Sequence, residues 1–281
     1  MLYVLSALLL AACSQAMRLP VPARMSQTDV WSTIRDQAAE ASSAKPVLRP
    51  YFSQAVNSQL SLPAAVASIL ASKIAAGDNG LSTELLQQEL ERLLADQTEA
   101  LERDLLSVVE SDPAAPELLT VLCYFKGFLA VSAHRCASAL WANKDDPGSR
   151  QLALLLQGRA SECFGVDIHP GATIGRGVFI DHATGVVIGE QASVGDDCYI
   201  LHGVTLGATG KKDKKTGRRH PIVGSGCTLG SCASVLGPIT VGDGATIGAN
   251  AIVTKNVEAG ATVIETGFMN NRVLGAKKPK A

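Results

Sequence analysis

Two different spacings of apolar residues divide the chain. From about residue 29 to 163 the spacing is helical. Leu86, Leu90, Leu93 and Leu94, then Leu101, Leu105 and Val108, recur at i, i+3 and i+4, the stripe that an amphipathic helix turns toward a core. Asn79-Gly80 is a turn signal ahead of this run. Ser111-Asp112-Pro113 ends it, because a proline drives the residue before it out of helical geometry. A second helical run is predicted from about 116 to 141, up to the Asp145-Asp146-Pro147-Gly148 break, and a third over roughly 149–163.

Beyond Cys163 the period becomes six. Each hexad opens with an aliphatic residue, often followed by glycine, and carries a small or apolar residue four places on. Ile168/Ala172, Ile174/Val178 and Ile180/Thr184 come first. A two-residue slip at Val186-Val187 follows, and then Ile188/Ala192, Val194/Cys198 and Ile200/Val204. Leu206 opens a hexad that runs into K-K-D-K-K-T-G-R-R at 211–219. The register resumes with Val223/Cys227, Leu229/Ala233, Val235/Ile239, Val241/Ala245, Ile247/Ala251, Val253/Val257 and Ala259/Val263. Such a repeat marks a parallel β-helix, whose short strands and turns wind into coils with the opening aliphatics stacked inside. The expected fold class is α+β: an N-terminal α-helical domain followed by a left-handed parallel β-helix of hexapeptide repeats. The expected divisions are a leader over 1–28, the helical domain over 29–165, the β-helix over 166–263 with its basic loop at 211–219, and a C-terminal tail over 264–281.

A solenoid core needs no charge, yet Asp167, His169, Asp181 and His182 fall within sixteen residues of it. At outward corners such residues serve either solvation or chemistry. A carboxylate near an imidazole fixes its tautomer and raises its basicity, which is how a histidine becomes a general base. Asp167 precedes His182 by about one coil, Arg219-His220-Pro221 marks the return from the insertion, and Asp112 lies in an acidic turn of the helical half. Spacing alone leaves open whether these groups meet, and a solvated corner is the plain alternative for Asp181 and His182.

Composition narrows the classes further. A chain of 281 residues with 47% hydrophobic content can bury a proper core. A net charge of −1 argues against nucleic acid as the main partner. The seven cysteines form no C-x-x-C pair and no metal-ligand spacing, which reads as reduced, mostly buried thiols. Gly210-Lys211 lacks the upstream glycine and the following Ser/Thr of a P-loop. The apolar run at 2–12 is too short to span a bilayer. It reads as a signal-peptide core, with L-A-A-C at 10–13 like a lipoprotein cleavage site, or as part of an acid-free, Arg-containing transit segment. Met17 and Met25 are alternative starts. The expected location is cytoplasmic, or a plastid or mitochondrion if the leader is a targeting segment.

D-I-H-P-G-A-T-I-G-R-G at 167–177, D-H-A-T-G-V-V-I-G-E at 181–190, V-T-L-G-A-T-G-K at 204–211 and R-H-P-I-V at 219–223 resemble the serine O-acetyltransferases, a branch of the hexapeptide-repeat acyltransferases. W-S-T-I-R at 31–35, S-D-P-A at 111–114 and K-G-F-L-A-V-S-A-H-R at 126–135 match the helical part of the same family in order. The resemblance implies transfer of the acetyl group of acetyl-CoA to the hydroxyl of L-serine, the first step of cysteine biosynthesis from serine. It implies His182 as general base, oriented by Asp167, which would also stabilise the imidazolium. Asp112 and Asp181 would hold the amino group of serine. Arg219 would pair with its carboxylate through a planar fork, and His220 would sit against the same substrate. His169 is left a structural hydrogen bond.

By the same resemblance acetyl-CoA is a co-substrate rather than a permanently bound cofactor. It is expected along a groove between neighbouring solenoids at Gly207, Ala208, Thr209, Lys211, Ser231 and Ala249, where small residues admit close backbone approach. Lys212, Lys214 and Lys215 read as an exposed charged loop. The implied assembly is a homotrimer or a dimer of trimers, with active sites between neighbours. No metal site and no membrane span is implied. Relatives that dock into O-acetylserine sulfhydrylase end in isoleucine, whereas this chain ends Lys278-Pro279-Lys280-Ala281. It departs from the family pattern also at Ala208, commonly glycine, in its longer basic loop, and at Gly267-Phe268-Met269-Asn270, where G-x-P-A is usual.

Three other readings stand beside this one. A hexapeptide acyltransferase for homoserine or a sugar explains the solenoid; a sugar acceptor leaves the set Asp112, Asp181 and Arg219 without a role. An inactive scaffold explains the solenoid alone. A zinc enzyme resembling γ-carbonic anhydrase needs a histidine pair five residues apart, which histidines 134, 169, 182, 202 and 220 do not supply.

Overall fold

The computed structural model describes residues 27–265 and 271–274, except 78, 79 and 116. Residues 1–26 of the leader, Asn79 of the turn signal, Pro116, residues 267–270 and the terminal residues 278–281 therefore lie outside the described residues, while residues 27 and 28 already belong to the first helix. The helical part runs α1 (Gln27–Ala44), α2 (Leu62–Ile74), α3 (Thr83–Leu94), α4 (Thr98–Ser111), α5 (Leu118–Tyr124), α6 (Lys126–Ala142) and α7 (Pro147–Phe164). Ser61 and Ser82 cap α2 and α3 by accepting from the N–H groups of Ala64 and Leu85. The α3 stripe buries Leu86, Leu90 and Leu94, and α4 buries Leu101, Leu105 and Val108.

The break at Asp112 falls where the proline requires it. The second helical run, expected to be continuous, is instead two helices. Phe125 takes an extended conformation (φ −83°, ψ 101°) between them, which lets α6 start directly over the solenoid. Gly127 lies in that first turn, and a Cβ there would overlap the Ile180 carbonyl oxygen. The approach of α6 to the strand of Ile180 thus depends on a missing side chain.

Fourteen short strands follow in coils of three, and stack into three parallel sheets. One holds β1 (Val166–Ile168), β4 (Val186–Ile188), β7 (Thr205–Gly207), β10 (Ser234–Leu236) and β13 (Ile252–Val253). The second holds β2 (Thr173–Ile174), β5 (Ser193–Val194), β8 (Ile222–Val223) and β11 (Thr240–Val241). The third holds β3 (Phe179–Ile180), β6 (Tyr199–Ile200), β9 (Thr228–Leu229), β12 (Thr246–Ile247) and β14 (Thr262–Glu265). An antiparallel strand, β15 (Asn271–Leu274), closes this third sheet against β14. A helical region followed by a parallel β-solenoid is the class read from the two spacings.

Two hexads depart from the expected register. Thr184 is exposed, and Val186, paired with Val166, fills the inward place assigned to it. The slip therefore lies earlier than Val186-Val187, inside the corner between β3 and β4. At the far end Ala259 is exposed, and Val257 stacks on Val241 in its stead. The turn before Val257 is two residues short, and the Asn256 side chain makes up the loss by accepting from the Thr240 N–H at 2.9 Å.

A buried ion pair locks the two parts together. Asp104 of α4 accepts from Arg135 of α6 (Nη2, 2.7 Å) and from the Gly177 and Val178 N–H groups at the first solenoid corner. Arg135 also donates to the Gly175 carbonyl. Burial pushes the Asp104 carboxyl up to about 6 despite the opposing pull of Arg135.

Candidate active site

The widened corner after β3 carries Asp181 and His182. His182 and Ala183 both adopt left-handed backbone, φ 55° and 57°, a conformation that costs roughly 1–2 kcal/mol for each non-glycine residue. The turn is tight, with the Thr184 N–H on the His182 carbonyl at 2.6 Å. Its effect is to point Ala183 inward, fully buried, and the His182 side chain outward, 73% exposed. Lys126 of α6 donates to the Thr184 hydroxyl and pins the corner from the helical side.

Asp181 faces two groups. Its Oδ1 lies 3.8 Å from His182 Nε2, beyond a hydrogen bond, and its Oδ2 accepts from the Tyr199 hydroxyl at 2.7 Å. Burial first, then the hydrogen bond to Asp181 and the charges of Asp181 and Asp112, hold the Tyr199 phenol above its usual range. The Asp112 charge, carried by the helical part, is thus felt at this corner. One Asp112 oxygen accepts from the Ala114 N–H in a local turn. His202, one coil on, meets the His182 ring edge-on at 6.0 Å.

Asp167 is placed differently from the pair expected. It lies outward on β1 between buried neighbours, and its Oδ1 accepts from Gln157 of α7 at 2.7 Å. Among the described residues no hydrogen bond joins it to His182. Strand geometry accounts for this: Asp167 stands opposite Val187, while the two extra corner residues carry His182 away.

Arg219 and His220 occupy a different edge of the solenoid. Arg219 Nη2 bonds Glu190 at 3.0 Å, and its N–H bonds the Gln191 side chain. His220 is 7% exposed and packs where a Cβ on Gly189 would collide with it. Burial and the neighbouring Arg219 charge lower its pKa. Gly207, Ala208, Thr209 and Lys211 lie along this same edge, where the Gly237 N–H bonds the Gly207 carbonyl. Ser231 and Ala249, by contrast, stack above the His182 corner, with Cys232 on His202 and Asn250 on Ser231. The candidate residues are therefore divided between two edges, with the face bearing Asp167 between them. Asp213 organises the basic loop by accepting from Lys215 and Thr216, leaving Lys212, Lys214 and Lys215 exposed. His169 accepts from the Gly171 N–H at 3.0 Å, against the edge of Trp141.

Sequence reasoning missed Tyr199, Glu190 and His202. Asp181 precedes its stacked coil by the lengthened step, so the residues beneath it could be located only once the slip was placed.

A family model described as the N-terminal part of serine acetyltransferase matches residues 30–133, and one for the bacterial transferase hexapeptide (six repeats) matches 220–255. Serine acetyltransferase 1, chloroplastic, of Arabidopsis thaliana is 43% identical over 89% of this chain and 77% of its own. The chain belongs to the serine acetyltransferase family. Solved members agree in fold. The Neisseria gonorrhoeae serine acetyltransferase in complex with serine superposes with a TM-score of 0.78 at 40% identity, over 84% of this chain and 95% of that one. The Brucella abortus serine acetyltransferase in complex with coenzyme A does so with 0.81 at 37%, over 89% and 96%.

Proposed function

We propose that the chain transfers an acetyl group from acetyl-CoA to the hydroxyl of L-serine, with His182 as general base. The observation that carries this is the widened corner, which presents an exposed imidazole beside the Asp181 carboxylate, with the Asp112 charge acting on the same corner. An amino-acid substrate brings one ammonium and one carboxylate. The ammonium is matched by Asp112 and Asp181, and the carboxylate by the Arg219 fork with His220 beside it. His182 takes the hydroxyl proton, the serine oxygen attacks the thioester carbonyl, and the thiolate of CoA leaves with that proton returned. Asp167 is assigned the stabilisation of the imidazolium through its charge. The Neisseria and Brucella complexes support serine and CoA as the ligands. The product is O-acetyl-L-serine, which places the reaction at the entry to cysteine synthesis. The chloroplastic relative supports an organellar location.

Because the two halves of this set lie on different edges, one site needs two copies: the Asp181-His182 edge of one against the Arg219-His220 edge of the next. A three-fold ring closes such a head-to-tail contact. The test is complementation. His182→Ala and Arg219→Ala are each expected to lose serine-dependent CoA release, the former by about 10²–10⁴. Co-expressed with two tags and purified through both, they recover about one third of the activity, since one site per mixed trimer keeps both intact edges. Mixed trimers that stay silent would overturn the shared site, and an active His182→Ala homomer would remove the base.

A further inference from the structure

We propose that Tyr199 is a positioning residue for the acceptor, fixing Asp181 so that one carboxylate oxygen alone faces the substrate amine. The inference rests on the assignment of Asp181 to that amine. Tyr199 sits on β6, directly stacked on Phe179 of β3, and the two rings meet at 5.0 Å with an interplanar angle of 43°. Phe179 is 2% exposed, so the tyrosine ring rests on an immobile neighbour. Its hydroxyl reaches past the end of β3 to Asp181 Oδ2 at 2.7 Å.

Three consequences follow from that contact. A carboxylate can rotate about its terminal bond, and one held oxygen stops the rotation. The oxygen left over, Oδ1, is the one turned toward His182, and so toward the place where the serine hydroxyl must lie. The phenol also feels the charges of both Asp181 and Asp112, so its hydroxyl, committed to Asp181, stands where both carboxylates act. The held amine is the same in ground state and transition state, so the loss of Tyr199 acts on binding rather than on the chemical step.

The experiment is a double-mutant cycle on the serine KM, using the full assembled protein. Tyr199→Phe, which keeps the ring on Phe179, is expected to raise the serine KM about tenfold, the worth of one hydrogen bond to a charged group. The kcat and the acetyl-CoA KM should stay within about twofold, and the thermal midpoint should hold. Asp181→Asn raises the serine KM as well, and adding Tyr199→Phe to it brings no further rise. If the two effects simply multiply, Tyr199 acts independently of Asp181 and the proposal is overturned. A serine KM unmoved by Tyr199→Phe while Asp181→Asn raises it overturns it too. An unmoved KM in Asp181→Asn instead removes the amine-binding role on which it rests.

Discussion

The corner after β3 and the turn before Val257 break the same repeat in opposite directions. Twenty residues separate Val166 from its stacked partner Val186, eighteen separate Val187 from Thr205, and sixteen separate Ile247 from Val263. Each coil must return its inward aliphatics to the same three faces, and a change of two residues preserves the in-out alternation of a strand. The long corner absorbs its surplus in two left-handed residues and gains an outward histidine. The short turn keeps the backbone bond from the Val257 N–H to the Thr240 carbonyl, and satisfies the Thr240 N–H with a borrowed side chain, Asn256. Surplus chain thus builds an outward projection at an energetic cost, while a deficit is repaired locally by a side chain.

The largest expected effect comes from the contact that holds the long corner in place. Gly127→Ala sets a Cβ against the Ile180 carbonyl oxygen, backbone against backbone, with no flexible side chain to yield. It should destabilise the protein by about 3 kcal/mol in urea unfolding and lower serine acetylation beyond that loss, because Ile180 leads directly into Asp181. Gly244→Ala is the comparison at a regular corner. Nothing lies within 4 Å of its added Cβ, and its φ of +65° is the sole strain, so about 1 kcal/mol and unchanged kinetics are expected. Equal effects at the two glycines would deny the corner any special tie to α6.

These positions also explain what was legible in the sequence. Ile168, Ile174, Val194 and Ile200 announce the solenoid because an inward aliphatic every sixth residue has no other use. Ser111-Asp112-Pro113 announces the helix end because proline geometry is local. Thr184 and Ala259 fit the hexad along the chain yet stand outward for one reason: a two-residue change leaves the apolar alternation intact, so both registers look equally good in the sequence. That ambiguity spreads to the site. Asp181 and His182 stand out as charges on an apolar scaffold, but which residue lies beneath them depends on the coil length, and so Tyr199 and His202 stayed hidden. Resemblance implies a partnership of Asp167 with His182, whereas its hydrogen bond here goes to Gln157, a helical residue with no motif of its own. Arg219 and His220 stand out beside the insertion, yet the edge of the solenoid they occupy is a property of winding.

A middle-sized effect sharpens the other half of the comparison. Asn256→Ala leaves the Thr240 N–H without its acceptor, and should cost about 1 kcal/mol, with faster amide exchange at Thr240 and the same serine kinetics. Asn256→Asp keeps an oxygen in place and should retain most of the stability. A loss of activity in Asn256→Ala matching that at the long corner would mean that the short turn, too, serves the site.

The smallest effect on stability has the most to say about why the corner is strained. His182 is held at φ 55°, a left-handed conformation that histidine tolerates better than most residues and that asparagine favours further because its short side chain can hydrogen-bond the local backbone. Its imidazole is 73% exposed and contributes little to the core. His182→Asn should therefore leave the thermal midpoint unchanged or raise stability by up to about 1 kcal/mol, while serine acetylation falls by at least about a hundredfold. A site residue whose removal stabilises the fold is the signature of strain retained for chemistry. A clear fall in stability instead would locate a structural role for the ring, with the edge-on contact to His202 at 6.0 Å as its source. His202→Ala separates the two accounts. If the ring contact stabilises the corner, that variant loses the same stability as His182→Asn. If the left-handed backbone dominates, His182→Asn gains stability whether or not His202 is present.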